Sequence, residues 1–251
     1  MVGLTEALIA FPGPLALAVG LASLFFGALV QGSLGFGMGL VSIPVLGLMV
    51  PERLPQAVVL TVLPLTVFML WHERDAVRPR LVTWLLVGRV LGVVPAVLVL
   101  LVVPERALQV LFAVTTLAAV GLMAADRISV EVNRRSQLVA GTLAGFIGTA
   151  AGLGGPPVAL LYANQSGRTL RATLALMMLV GNLASLAGYW VGGRLTPVDL
   201  TLGGLFLVPT LLGLGVGMVV RRHLHGPRLR WAVLTVVAAS ALVLLVSAVL
   251  G

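Results

Sequence analysis

Apolar residues along this chain run in long unbroken stretches, and polar or charged residues collect in the short gaps between them. Ten stretches can be marked, at about residues 14–31, 36–50, 55–71, 81–103, 105–124, 136–152, 155–165, 170–190, 198–220 and 229–250. They predict helices, and a helix that crosses the hydrocarbon core needs about 20 residues. Stretch 155–165 is too short to cross alone, and 36–50 is also short. Each short stretch follows a glycine-rich interruption. The first is Gly32-Ser33-Leu34-Gly35-Phe36-Gly37-Met38-Gly39, with Pro44 beyond it; the second is Gly148-Thr149-Ala150-Ala151-Gly152-Leu153-Gly154-Gly155-Pro156-Pro157. Helix breaks in lipid are tolerated only where protein or a water-filled cavity satisfies the freed backbone groups. A pair of such breaks in corresponding halves points to a transporter's binding site.

Composition agrees with the pattern. Of 251 residues, 59% are hydrophobic and 10% charged, far from the balance of a soluble domain. The fold class is therefore all-α, a polytopic helical membrane protein. The first stretch has no basic residue before it, so it reads as a retained membrane segment and not a secretory signal. There are no cysteines, which excludes thiolate metal sites and Cys nucleophiles, and no cofactor is called for. All sixteen basic residues are arginine. The net charge of +8 is read as membrane topology and not as a nucleic-acid surface.

The arginines discriminate between two geometries. If residues 14–50 and 136–165 each form a hairpin, one side holds twelve arginines (Arg74, Arg78, Arg80, Arg127, Arg134, Arg135, Arg168, Arg171, Arg221, Arg222, Arg228 and Arg230) and the other holds three (Arg53, Arg106 and Arg194). If each is one broken crossing, the split is eight against seven, which carries no signal. The positive-inside rule favours hairpins, with the arginine-rich loops cytoplasmic and both termini outside the inner membrane. Each half, 1–124 and 125–251, then holds five segments, and an odd number makes the repeats inverted. Gly35 and Gly37 align with Gly152 and Gly154, and Gly92 with Gly213. The hairpins enter from opposite faces, and arms of about 16 Å bring both tips near the midplane of a ~30 Å core.

A returning half-helix begins near Gly37 and near Gly155. Helix N-termini carry unpaired N–H groups and about half a positive charge, so two of them converging make an anion site. Glycine lets backbone approach a ligand, and Pro156 suits a first helical turn. The simpler alternative is that these glycines only allow close helix packing. Arg89 is the charge well inside a span, roughly 13 Å from Arg80 along the helix. It reads either as a ligand group or as a snorkelling side chain, with Thr210 as its counterpart in the second half. Gln31, Ser33, Tyr162, Asn164 and Asn182 are polar groups at or near the breaks, available to a ligand or to a neighbouring helix. The substrate-binding candidates are thus Gln31, Ser33, Gly35, Phe36, Gly37, Met38, Gly39, Arg89, Gly152, Gly154, Gly155, Pro156, Tyr162, Asn164 and Asn182.

All eight acidic residues lie in loops or at segment ends, leaving no mid-span carboxylate for a proton relay or a cation site. The histidines also lie at the membrane edge, so the Gly32-Ser33-Leu34-Gly35 string has no base to make a serine nucleophile.

The strings G-S-L-G-F-G-M-G-L-V-S-I-P and G-T-A-A-G-L-G-G-P-P, with the size and segment order of the whole chain, resemble the TauE/SafE (TSUP) family of sulfite exporters. That resemblance implies outward transport of sulfur-containing anions such as sulfite, sulfoacetate or related organosulfonates. An anion channel or importer of the same substrates, or a non-transporting membrane scaffold, are the competing readings. Expected partners are the small anion and the lipid bilayer, and the thirty glycines also permit a homo-oligomer. The topology is testable because the chain lacks cysteine: single cysteines placed in 127–135 should react only from the cytoplasmic side, and labelling from outside would remove both the hairpins and the inversion.

Overall fold

The computed structural model describes residues 11–124, 130–220 and 227–250, and these form helices joined by short turns. The helices are α1 (Pro14–Leu34), α2 (Met38–Leu46), α3 (Leu54–Glu73), α4 (Pro79–Val102), α5 (Glu105–Ala124), α6 (Arg134–Ala151), α7 (Gly155–Leu161), α8 (Gly167–Val191), α9 (Pro197–Val220) and α10 (Pro227–Leu250). Proline opens α1, α4, α9 and α10, where its missing N–H leaves no bond unmade. Asn133 and Ser136 form a reciprocal cap at the start of α6, and the Ser166 hydroxyl accepts from the Thr169 N–H at the start of α8. Among the described residues, α1, α3, α4, α5, α8 and α9 are long and apolar enough to cross a membrane, and α10 adds the apolar run Leu234–Leu250. The chain is a multi-pass membrane protein.

The tightest helix pairs join one half of the chain to the other. α4 runs parallel to α6 with their backbones in contact. Methyl groups on Gly88 and Gly92 would collide with the carbonyls of Leu138 and Thr142, and those on Gly141 and Gly145 with the carbonyls of Leu85 and Arg89. α1 runs parallel to α9 in the same way, through Gly213 on Phe25 and Gly217 on Leu29. This is small-residue packing, which draws membrane helices together without any hydrophobic driving force between them. The remaining main contacts are α3 with α8 and α9, α8 with α4, α10 with α5 and α2, and α7 with α5. Exchanging α1–α5 for α6–α10 turns this set of pairs into itself.

Side-chain contacts identify the two ends of the bundle. At one end Arg134 stacks 3.7 Å from the Trp84 ring centroid, Gln137 reaches the Arg80 carbonyl at 3.4 Å, and Arg168 and Arg171 meet Glu73. Arg74, Arg78, Arg80, Arg134, Arg135, Arg168 and Arg171 gather at this end. At the other, Arg53 bonds Thr196 at 3.0 Å and Gln109 reaches the Gly47 carbonyl at 3.3 Å; Arg53, Arg106 and Arg194 lie here. Arg127, Arg221, Arg222, His223 and His225 fall outside the described residues, as do the side chains of Arg228 and Arg230.

The two breaks share one build. α1 ends on Gly35 at φ +95° and α6 on Gly152 at φ +67°, both left-handed caps whose N–H bonds back to the helix, at Gln31 and Gly148. Gly35–Gly37 and Gly152–Gly154 then lead into α2 and α7. α2 folds back along α1, with Leu46 beside Gly20 and Met38 beside Gly27. One feature departs from the expected half-length arms. α1 has 21 residues, about 31 Å and the full depth of a ~30 Å core, because the apolar run continues to Leu34. Gly35 therefore lies level with Arg171 near the start of α8, and it is the N-termini of α2 and α7 that approach each other inside the bundle.

The glycine contacts are directly testable. Gly92→Ala drives a methyl into backbone and should lower stability by about 1–3 kcal/mol. Gly204→Ala, with nothing within 4 Å of the added carbon, should be neutral or slightly stabilising; thermal unfolding in detergent compares the two.

Candidate anion-binding site

The breaks touch. A methyl on Gly39 would strike the Gly152 carbonyl, and one on Gly155 would lie 2.6 Å from Phe36 Cβ. Between them is a small cavity, with about 30 Å³ open to a water centre. The first break contributes Gln31, Phe36, Gly37, Gly39 and Leu40, and the second Gly148, Gly152, Leu153, Gly154, Gly155 and Pro156. Arg89 enters from α4, Met178 and Asn182 from α8, and Val58, Val59 and Val62 from α3.

Arg89 dominates this space. Its side chain is only 2% exposed. Nη1 donates to the Ala144 carbonyl of α6, and Nε has no hydrogen-bond partner. Room for the guanidinium comes from absent side chains: a methyl on Gly148 or Gly181 would overlap its nitrogens, and one on Gly154 would lie 3.5 Å from Nη1. Asn182, 5% exposed, leaves Nδ2 without a partner. Unpaired buried donors are costly, and the cavity lining holds no carboxylate to take them up.

Gln31 is engaged locally. Its Oε1 accepts from the Met38 N–H at 3.3 Å and its Nε2 lies 3.9 Å from Met69 Sδ, so it holds the first amide of α2. The amides of Gly39 and Leu40, also in that first turn, have no carbonyl one turn earlier in their own helix to bond, and both residues line the cavity. Pro156 and Pro157 remove two amides from the corresponding turn of α7. The second break thus gives fewer donors and more room. Hydroxyls brace its end: Tyr189 donates to the Thr149 carbonyl, Thr149 and Ser185 share a bond of 2.7 Å, and Ser185 donates to the Gly181 carbonyl at 2.7 Å.

Of the fifteen candidates, ten line the cavity: Gln31, Phe36, Gly37, Gly39, Arg89, Gly152, Gly154, Gly155, Pro156 and Asn182. Five lie elsewhere. Ser33 bonds the Leu29 and Gly217 carbonyls and ties α1 to α9. Gly35 sits on Arg171, Met38 is buried behind the first break, and the Tyr162 hydroxyl reaches the Leu81 carbonyl. Asn164 is exposed in the turn after α7. Thr210, the counterpart of Arg89, bonds the Phe206 carbonyl of its own helix at 2.7 Å. The sequence reading passed over Gly148 and Gly181 as site residues. A glycine adjoining Asn182 in the middle of a long apolar helix was the available signal for Gly181.

A buried cation with uncommitted donors, held where two broken membrane helices meet, suits an anion. The chain belongs to the sulfite exporter TauE/SafE family, whose model matches residues 19–244. Comparisons with curated proteins and with solved structures gave no match. The family implies a membrane exporter of sulfite or a related anion.

Gly181→Ala tests the glycine seat of Arg89. The added methyl displaces the guanidinium, so anion efflux from proteoliposomes should fall at least about tenfold, equivalent to about 1.4 kcal/mol, while detergent-solubilised protein stays monodisperse. Wild-type efflux in this variant would remove Arg89 from the site.

Proposed function

We propose that this protein exports sulfur-containing anions, namely sulfite, sulfoacetate or related organosulfonates, across the inner membrane by alternating access around the cavity. The carrying observation is the Arg89 guanidinium, which faces the cavity with Nε unpaired and no carboxylate opposite. An oxyanion there would accept from the Arg89 guanidinium, Asn182 Nδ2 and the first amides of α2. Charge-assisted bonds of this kind are roughly twice as strong as neutral ones, and the macrodipole of α2 adds to them. The second break contributes space more than charge.

The moving parts in this reading are two inverted repeats, residues 1–124 and 125–251, each opening with a re-entrant hairpin. Support comes from the contact set that maps onto itself when the halves exchange and from the matching left-handed caps at Gly35 and Gly152. The helix directions also fit, since α1 starts at the arginine-poor end and α6 at the arginine-rich end. Taking the arginine-rich end as cytoplasmic puts both termini outside. A negative interior then drives anions outward, by about 2.3 kcal/mol per charge per 100 mV, so a dianion needs no coupling ion to leave.

The deciding experiment is efflux of labelled sulfite from proteoliposomes under an imposed potential. Wild type should show saturable efflux, competed by sulfoacetate or thiosulfate, and Arg89→Ala should reduce it at least about tenfold. Efflux that rises linearly with concentration would indicate a channel, and no flux above empty liposomes would overturn the sulfur-anion reading.

A further inference from the structure

Glu73, at the end of α3, is buried, its side chain 5% exposed, and two arginines at the start of α8 hold it. Arg168 Nε donates to Oε2 at 3.2 Å and Arg171 Nε to Oε1 at 2.9 Å. Two guanidiniums on one carboxylate leave a net positive charge, and one donor to each oxygen is how such a pair grips an oxyanion. Arg168 is 63% exposed and Arg171 only 17%, so the cluster leads from the arginine-rich surface inward. Arg171, Met178 and Asn182 fall on one face of α8 at spacings of seven and eleven, and the latter two line the cavity. Eleven residues separate the cluster from Asn182 by about 16 Å. Between the two levels lies the first break, whose Gly35 abuts the Arg171 stem; a carbon added there would be 2.9 Å from Cγ. Gly35 and Gly37, at φ +95° and +126°, flank Phe36, a segment that only glycine can make so compact.

We propose that Arg168 and Arg171 form a second anion subsite, an antechamber to the cavity, which the Glu73 carboxylate fills between passages of the transported anion. The proposal rests on the cavity being the transport site. An anion arriving from the arginine-rich end displaces a tethered carboxylate only if it bonds both guanidiniums at once. An oxyanion offers a separate oxygen to each guanidinium, as the carboxylate does, whereas a halide offers both the same atom and matches the pair less well, so the exchange favours oxyanions before the cavity is reached. Release of Glu73 also frees Arg171 to move away from Gly35, and the break can follow.

Calorimetric titration of the full-length protein in detergent with sodium sulfite tests this. Wild type should bind one equivalent, Glu73→Gln two, and Glu73→Gln with Arg171→Gln one again. A single equivalent in Glu73→Gln that Arg89→Ala abolishes overturns the antechamber and leaves the cavity standing. Binding in Glu73→Gln that Arg171→Gln removes and Arg89→Ala spares supports the antechamber and overturns the cavity. No binding in any protein overturns both. Should Glu73→Gln fail to fold, Arg168→Gln changes a mostly exposed side chain. It should raise the half-saturating sulfite concentration, presented at the arginine-rich end, about threefold, within the range of a part-exposed ion pair; an unchanged value overturns the proposal.

Discussion

A guanidinium held in the interior of a membrane helix bundle sets the terms for the residues around it. Such a charge is expensive at mid-membrane even on the mildest scale, and Arg89 is accommodated by three features together. The Ala144 carbonyl takes one nitrogen, two glycines on different helices give the side chain its volume, and the side chain lines the cavity. The first depends on helix packing some distance away. Gly88, Gly92, Gly141 and Gly145 let α4 and α6 meet backbone to backbone, and only at that separation does Ala144 come within reach. The glycines of this pair and those of the cavity therefore serve one purpose at different places.

The scaffold is paired and the site is not. Each break has a left-handed glycine cap and a short returning helix, and each half lends one helix to each of the glycine-packed pairs. Chemistry is divided unequally over that frame. Arg89 is matched by Thr210, which bonds its own helix, and the amides of Gly39 and Leu40 are matched by a turn in which two positions are proline. The first half supplies the cation and the free amides; the second supplies Asn182 and most of the space.

Most of the architecture could be read from the chain because its signals are long and redundant. Among the described residues, eight helices follow the apolar stretches within about three residues, and α2 and α7 are each shorter than the stretch that predicted them, since the chain turns after Leu46 toward Pro51 and after Leu161 toward Gly167. The sorting of arginines to two ends was legible for the same reason. The length of α1 was not: the run Gly32-Ser33-Leu34 looked like the start of a break, yet the helix continues through it and ends only at the left-handed Gly35. Arg89 and Asn182 stood out as polar residues in apolar spans. Gly181 and Gly148 did not, because what matters there is a missing side chain opposite a residue far away in sequence. The partnership of Glu73 with Arg168 and Arg171 was equally invisible, since charges at segment ends look alike until the segments are brought together.

The glycine-packed pairs also bear on how the protein is made. α1 leaves the ribosome well before α9, whose Gly213 and Gly217 pack against its backbone. α4 similarly waits for α6. During synthesis the first half therefore enters the bilayer with its closest-packing surface uncovered and with Arg89 lacking the carbonyl that binds it. Membrane insertion of this chain is thus separated from assembly, and the arginine must be carried in lipid, or by an insertion factor, until α6 has been translated.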